Sequence, residues 1–249
     1  PTVTPMKIYT AMDENIQSGI DKFQRREIDW LDQGADTHLQ VGSAVIHNQT
    51  GEIIGVVGGY DYNGRLIHNR ALDSYNQPGS VIKPVLDYAL AFEYLGWATS
   101  HVLVDEPWVY PGTDFLVGNY DGRYWGEVTI MDAVADSRNI PALKSLQEVI
   151  NTIGRSGVVE YMNQIGFSKV NEENFDLGYA LGGSSFLASP IELAGAYTTL
   201  MNGGNYTKPH TITRIEFSDG REPLVPQYSS IPVLSDSAAY LASRTMKYA

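Results

Sequence analysis

A chain of 249 residues with 43% hydrophobic side chains can bury the core of one large globular domain. With 17 Lys and Arg against 29 Asp and Glu, its formal net charge is −12, which argues against a nucleic-acid partner, whose phosphates need a basic face. The absence of Cys excludes disulfides, thiolate zinc sites, iron–sulfur clusters and a cysteine nucleophile. No apolar run approaches the roughly 18 residues of a membrane span. Pro1 stands where an initiator Met would, so a piece of a longer chain is expected.

In chain order, Lys7 to Met12 predicts a short strand and Asp13 the cap of a helix. The helix carries Ile16, Ile20, Phe23, Trp30 and Leu31 on one face and ends near Gly34. Leu39 to His47 and Ile53 to Val57 predict a hairpin turning at Asn48-Gln49-Thr50-Gly51. Ser80 to Leu95 predicts a helix stopped by Gly96. Thr99 to Gly126 holds too many rings for a disordered tail, so it predicts an ordered excursion. Helices follow at Thr129 to Asp136, Pro141 to Ile153 and Ser156 to Ile165. Ser189-Pro190-Ile191-Glu192 is a capping box with Pro at the first helical position. That helix stops at Gly203-Gly204. Thr211 to Phe217 predicts a strand, and Ser235 starts a last helix. Strands at both ends with helices between predict an α+β domain whose sheet joins distant segments.

Most candidate motifs fail on context. The five His lack an i, i+4 pair, so neither a zinc site nor a His-based triad is supported. Gly55-Val56-Val57-Gly58-Gly59 follows a strand but precedes no helix, as a phosphate cradle would require. Asp105-Glu106 and Glu172-Glu173 could be paired carboxylates, but solvated loop charges account for them better.

Gln77-Pro78-Gly79-Ser80-Val81-Ile82-Lys83-Pro84 is different. Ser-x-x-Lys at a helix start puts hydroxyl and amine on one face, beside unpaired N–H groups that favour an anionic intermediate. With 18 Ser and 7 Lys in the chain, chance alone yields about 0.5 such spacings. The context therefore has to carry the argument. Ser137-Arg138-Asn139, between two predicted helices, could face Lys83 from the opposite wall of a cleft; Ser74-Tyr75-Asn76 is too near Ser80 to form a separate wall.

With these motifs the sequence resembles the transpeptidase domain of bifunctional, class A penicillin-binding proteins. Ile8 to Asp13, Gly51 to Gly59, Asn69-Arg70-Ala71, Pro78 to Pro84, Asn119-Tyr120-Asp121 with Tyr124 and Gly126, Ser137 to Ala142, Ala180 to Gly183, Ser189 to Ala194 and Asn202 to Gly204 carry the match. The resemblance implies a serine β-lactamase/penicillin-binding-like α+β fold: an antiparallel sheet flanked by helices, with a helical subdomain at roughly residues 80–205 of a domain spanning 1–249. It implies that Ser80 attacks the D-Ala-D-Ala carbonyl of a peptidoglycan stem peptide and that a second stem's amine resolves the acyl-enzyme. β-Lactams would leave Ser80 acylated. Lys83 would be its general base, Ser137 a proton relay and Asn139 an orienting group, with Gly79, Tyr120 and Tyr124 at the substrate. For that role Lys83 must lie neutral in a partly dry cleft. No cofactor and no metal is implied. The parent chain is expected to be membrane-anchored outside the cytoplasm and to carry a glycosyltransferase domain.

The family's third motif, Lys-[Ser/Thr]-Gly, is absent from the sequence: Lys144-Ser145-Leu146 and Lys208-Pro209 do not match. The expectation is a domain cut before that strand, with an incomplete sheet and weakened acylation. A carboxypeptidase or β-lactamase would use the same Ser80 and Lys83 with water as acceptor. An inactive β-lactam sensor or interaction domain would lack the chemistry altogether.

Overall fold

Asp13 opens the first helix as its sequence position predicts. Its carboxylate accepts from the Asn15 and Ile16 N–H groups, each at 2.9 Å, satisfying donors that have no partner inside the helix. The computed structural model describes residues 5–27, 40–60 and 67–249. Within them, β1 (Met6–Thr10) leads to α1 (Glu14–Gln24), then the antiparallel hairpin of β2 (Ser43–Ile46) and β3 (Ile53–Val57). α1 ends before the predicted Gly34; Trp30, Leu31 and Gly34 lie outside the described residues. Gly55 lets α1 approach, since a Cβ there would sit 2.8 Å from Ile20 Cδ1. The Gln17 amide then bonds both backbone groups of Val56, at 2.9 and 3.0 Å.

β1 pairs antiparallel with β9 (Ile212–Phe217), Met6 opposite Phe217. Ile53 N–H donates to His210 O at 2.7 Å, laying the hairpin beside the same segment. β1 thus pairs with a strand distant in sequence, as the strand order predicts, although each ladder among the described residues is two-stranded. The remaining ladders are β4 (Val102–Asp105) with β7 (Gly126–Thr129), β5 (Trp108–Val109) with β6 (Leu116–Val117), and β8 (Asn205–Thr207) with β10 (Ser230–Pro232). The aromatic excursion is therefore ordered. It forms two nested hairpins that bring Asp105 and Gly118 back towards the helices.

Further helices among the described residues are α2 (Arg70–Asp73), α3 (Ala89–Tyr94), α4 (Ile130–Ala135), α5 (Asn139–Gln164), α6 (Pro190–Met201) and α7 (Asp236–Tyr248). α5 holds the two helices predicted there, broken at Gly154, whose φ of 76° and ψ of 167° are not helical. Ser189 and Glu192 close the expected capping box on α6. Leu86, Leu90, Leu143, Leu146, Phe167, Tyr179 and Phe186 form the centre of the helical core. Each such side chain stabilises the fold by about 1.5–3 kcal/mol when fully buried.

One prediction needs correcting. Ser80 to Leu95 is not a single α-helix but a 3-10 turn (Gly79–Ile82), a π-helical turn (Pro84–Tyr88) and α3. Pro84 is the reason: it has no N–H to return to the Ser80 carbonyl. Lys83 N–H takes that carbonyl instead, at 3.2 Å. The Lys83 carbonyl then accepts from both Asp87 and Tyr88, at 3.1 and 3.2 Å.

Candidate active site

In the 3-10 turn, residues three apart eclipse one another, so Ser80 and Lys83 project from the same side. The dipole expected at the helix start is correspondingly confined to a single short turn. Gly79 enters it with φ of 63°, and its N–H donates to Gly182 O at 3.0 Å. Gly182 must be glycine. A Cβ there would lie 2.1 Å from Gly79 O, and its own φ is 64°. The Leu177–Leu181 3-10 turn, which Gly182 ends, thereby fixes the backbone next to Ser80. The Ser80 side chain is exposed.

Lys83 is the opposite, 2% exposed. Its Nζ donates to Ser137 O at 2.6 Å, to Asn139 Oδ1 at 2.8 Å and to Ser137 Oγ at 3.2 Å. Burial pulls its pKa down to about 8; Asp87 opposes that shift and Arg138 adds to it. Ser137 offers both its carbonyl and its hydroxyl because its backbone is left-handed, with φ of 49°. Such a conformation costs a non-glycine residue about 1–2 kcal/mol, and backbone strain of this kind collects at functional sites. Ser137 N–H to Val134 O (3.0 Å) and Arg138 N–H to Ala133 O (2.9 Å) hold the turn that closes α4.

Asn139 begins α5 and is gripped from the excursion. Its N–H donates to Asn119 Oδ1 and its Nδ2 to Gly118 O, both at 2.8 Å. Behind it lies a buried ion pair that the sequence reading passed over. Arg138, 0% exposed, bonds Asp105, also 0% exposed, through Nε at 2.9 Å and NH2 at 2.8 Å, and reaches Asp121 Oδ2 at 3.1 Å. Its guanidinium also donates to Arg123 O and lies over the Trp125 ring, 4.4 Å from the centroid. Asp105 accepts further from Asn119 Nδ2 at 2.8 Å and Trp125 N–H at 3.1 Å. Asp105 is therefore no solvated loop charge, although its neighbour Glu106 is exposed and pairs with Lys144 at 2.8 Å. Alternation along β4 was the available signal: Leu103 and Asp105 face in, Val102 and Val104 out.

The expected substrate residues fall in different places. Tyr120 is 75% exposed, between the inward Asn119 and the partnered Asp121. Tyr124 donates its hydroxyl to Val117 O at 3.0 Å, tying the excursion together. Among the described residues no cluster of His, Asp or Glu could hold a metal ion. None of their helices is long and apolar enough to cross a membrane.

Chemically, the turn carries an exposed serine three residues before a buried amine whose partners suit two charge states. As an ammonium, Lys83 donates to all three oxygens. As a neutral amine it keeps N–H donors for Ser137 O and Asn139 Oδ1, and the Ser137 hydroxyl can turn its proton to the lone pair.

Comparison with known proteins agrees with this arrangement. Residues 42–248 match the family "Penicillin binding protein transpeptidase domain". Penicillin-binding protein 1A/1B of Bacillus subtilis is 31% identical over all of this chain and 26% of its own length. Penicillin-binding protein 1A of Streptococcus pneumoniae is 30% identical over 98% of this chain and 34% of its own. The chain thus spans about a quarter to a third of these curated relatives. Among solved structures, PonA1 from Mycobacterium tuberculosis in complex with penicillin V superposes with a TM-score of 0.79 at 20% identity, over 97% of this chain and 63% of that one. The penicillin G acyl-enzyme of penicillin-binding protein A from the same organism gives 0.78 at 18% identity, over 98% and 63%. The α+β fold is that of these transpeptidase domains, and the chain belongs to the penicillin-binding protein transpeptidase domain family.

Proposed function

We propose that this domain is a serine D,D-transpeptidase acting on peptidoglycan stem peptides. Ser80 Oγ attacks the carbonyl between the two terminal D-Ala residues. A Ser80–acyl ester forms as the peptide C–N bond breaks, and the hydroxyl proton passes through Lys83 and Ser137 to the departing D-Ala amine. The amine of a second stem peptide then attacks the ester, forming the cross-link and returning the proton to Ser80. A β-lactam presents an equivalent amide in a ring, so opening it leaves Ser80 acylated by a group that stays attached.

The observation that carries this reading is the buried Lys83 amine, held between Ser137 and Asn139 one turn from the exposed Ser80. Asn139 has its Oδ1 on Lys83 and its Nδ2 on Gly118, so it links the amine to the aromatic excursion. In this reading residues 80–205 form the helical subdomain, Gly79, Tyr120 and Tyr124 border the substrate, and the chemistry takes place outside the cytoplasm.

The test is intact-mass analysis of the full-length gene product after exposure to penicillin G. A lasting adduct of one penicillin, absent in Ser80→Ala, is expected. Rapid turnover with no accumulated adduct would instead identify a hydrolase. An adduct that survives Ser80→Ala would overturn the assignment of the nucleophile.

A further inference from the structure

Acyl transfer by Ser80 and Lys83 leaves one buried titratable group of the catalytic turn without a task. Asp87 is 0% exposed, and neither of its carboxyl oxygens has a hydrogen-bond partner among the described residues. It lies four residues beyond Lys83 along the continuous 3-10 to π-helical run, on the same side of it. A carboxyl kept for packing alone would be a poor choice there, because it gives up water and gains no donor. What it can contribute is charge.

The elements packed around this turn supply little else. α3 faces it with Ala89, Leu90, Ala91 and Phe92, and α6 and α7 bury only small or uncharged side chains such as Ala196, Thr199, Ala238 and Ala242. From α5, Tyr161 uses its hydroxyl on Val85 O at 2.8 Å. Tyr88, next to Asp87, is buried with its hydroxyl unpartnered, and burial pushes its pKa well up. The charged groups acting on Lys83 are Asp87, which favours the ammonium, and Arg138, which disfavours it. Arg138 is already engaged by Asp105 and Asp121.

We propose that Asp87 is a positioning residue for Lys83: without touching substrate, its buried carboxyl governs how firmly Lys83 holds the proton it must release. This rests on the reading of Lys83 as the base for Ser80. When Lys83 is an ammonium, Asp87 is the anion that stabilises it. When Lys83 loses its proton, a lone carboxylate is left in this dry turn, so the amine gives that proton up less readily than it would without Asp87. Burial pushes the Asp87 carboxyl well above the usual carboxylate range, with Lys83 opposing, as such a pair requires.

The decisive comparison is Asp87→Asn in the full-length gene product, measuring the second-order acylation rate with a fluorescent penicillin from pH 5.5 to 9.5. Asn preserves shape and removes the charge. The acid limb of the profile should move down by about one pH unit, so that well below the limb the variant acylates about tenfold faster relative to its own plateau. An unshifted limb would overturn the proposal, because a purely structural role changes the plateau or the stability and leaves the limb in place. Tyr88→Phe, in the same buried turn, should leave the limb unmoved; a shift like that of Asp87→Asn would overturn the assignment to the carboxyl.

A second measurement needs neither acylation nor a variant that folds. In wild-type protein labelled with [13C]aspartate, one carboxyl resonance should shift with the same midpoint as the side-chain resonance of the buried lysine. If no aspartate carboxyl responds to the titration of that lysine, the proposal fails. Absence of any adduct in wild type would instead remove the Ser80 reading, leaving the coupling of Asp87 and Lys83 to be judged by this titration.

Discussion

Replacing Arg138 by Met tests whether the ion pair behind Asn139 sets the site. The guanidinium gives two contacts to Asp105, one to Asp121 and one to Arg123 O, and it covers the Trp125 ring. Met matches its stem in volume but leaves the Asp105 carboxylate, at 0% exposure, with only the Asn119 and Trp125 donors. Removing one partner of a buried ion pair costs about 3–5 kcal/mol, and for a domain of this size that lowers Tm by roughly 6–20 °C. Because Asn119 also accepts from Asn139 N–H, acylation by penicillin should fall even where the variant remains folded. Differential scanning calorimetry and labelling with a fluorescent penicillin read the two effects. The double variant Arg138→Met with Asp105→Leu removes both charges and should recover much of the stability, since a buried pair replaced by apolar groups is often neutral in stability. A Tm loss below about 2 °C in the single variant, or no recovery in the double, would refute the reasoning that the stranded charge is the cost.

Three further outcomes follow from the same geometry. With the Lys83 pKa pulled down to about 8, acylation should rise about tenfold between pH 7 and its alkaline plateau, because only the neutral amine acts as base; a flat profile would argue against Lys83. Gly182→Ala forces a Cβ against Gly79 O and a left-handed backbone on Ala, costing about 1–2 kcal/mol for the backbone and about 1–3 kcal/mol for the overlap. Thermal unfolding and penicillin labelling should both suffer, as Ser80 is displaced with Gly79. By contrast, Ser189→Ala removes the α6 capping box and should cost about 1 kcal/mol in denaturant unfolding, with labelling unchanged at 25 °C.

Much of this domain is legible along the chain, because the signals are local. Asp13, Ser189-Pro190-Ile191-Glu192 and Ser235 are cap residues whose side chains bond N–H groups two or three positions on, so spacing suffices to find them. The hairpin of β2 and β3 and the break in α5 at Gly154 follow from turn chemistry in the same way. Ser80, Lys83, Ser137 and Asn139 could be named because two short motifs stood in order within a familiar frame.

What one-dimensional spacing could not reveal depends on partners far away in sequence. Pro84 lies inside the helix predicted from Ser80 to Leu95, and its missing N–H divides that segment into 3-10 and π turns. Asp105 read as a solvated charge because its partner, Arg138, is 33 residues distant. The burial of Lys83 and Asp87 likewise depends on α3, α5, α6 and α7 closing over one turn. Residue identity and spacing therefore determined which groups could do the chemistry. Tertiary packing alone decided which charges lose their water, and so how readily Lys83 gives up its proton.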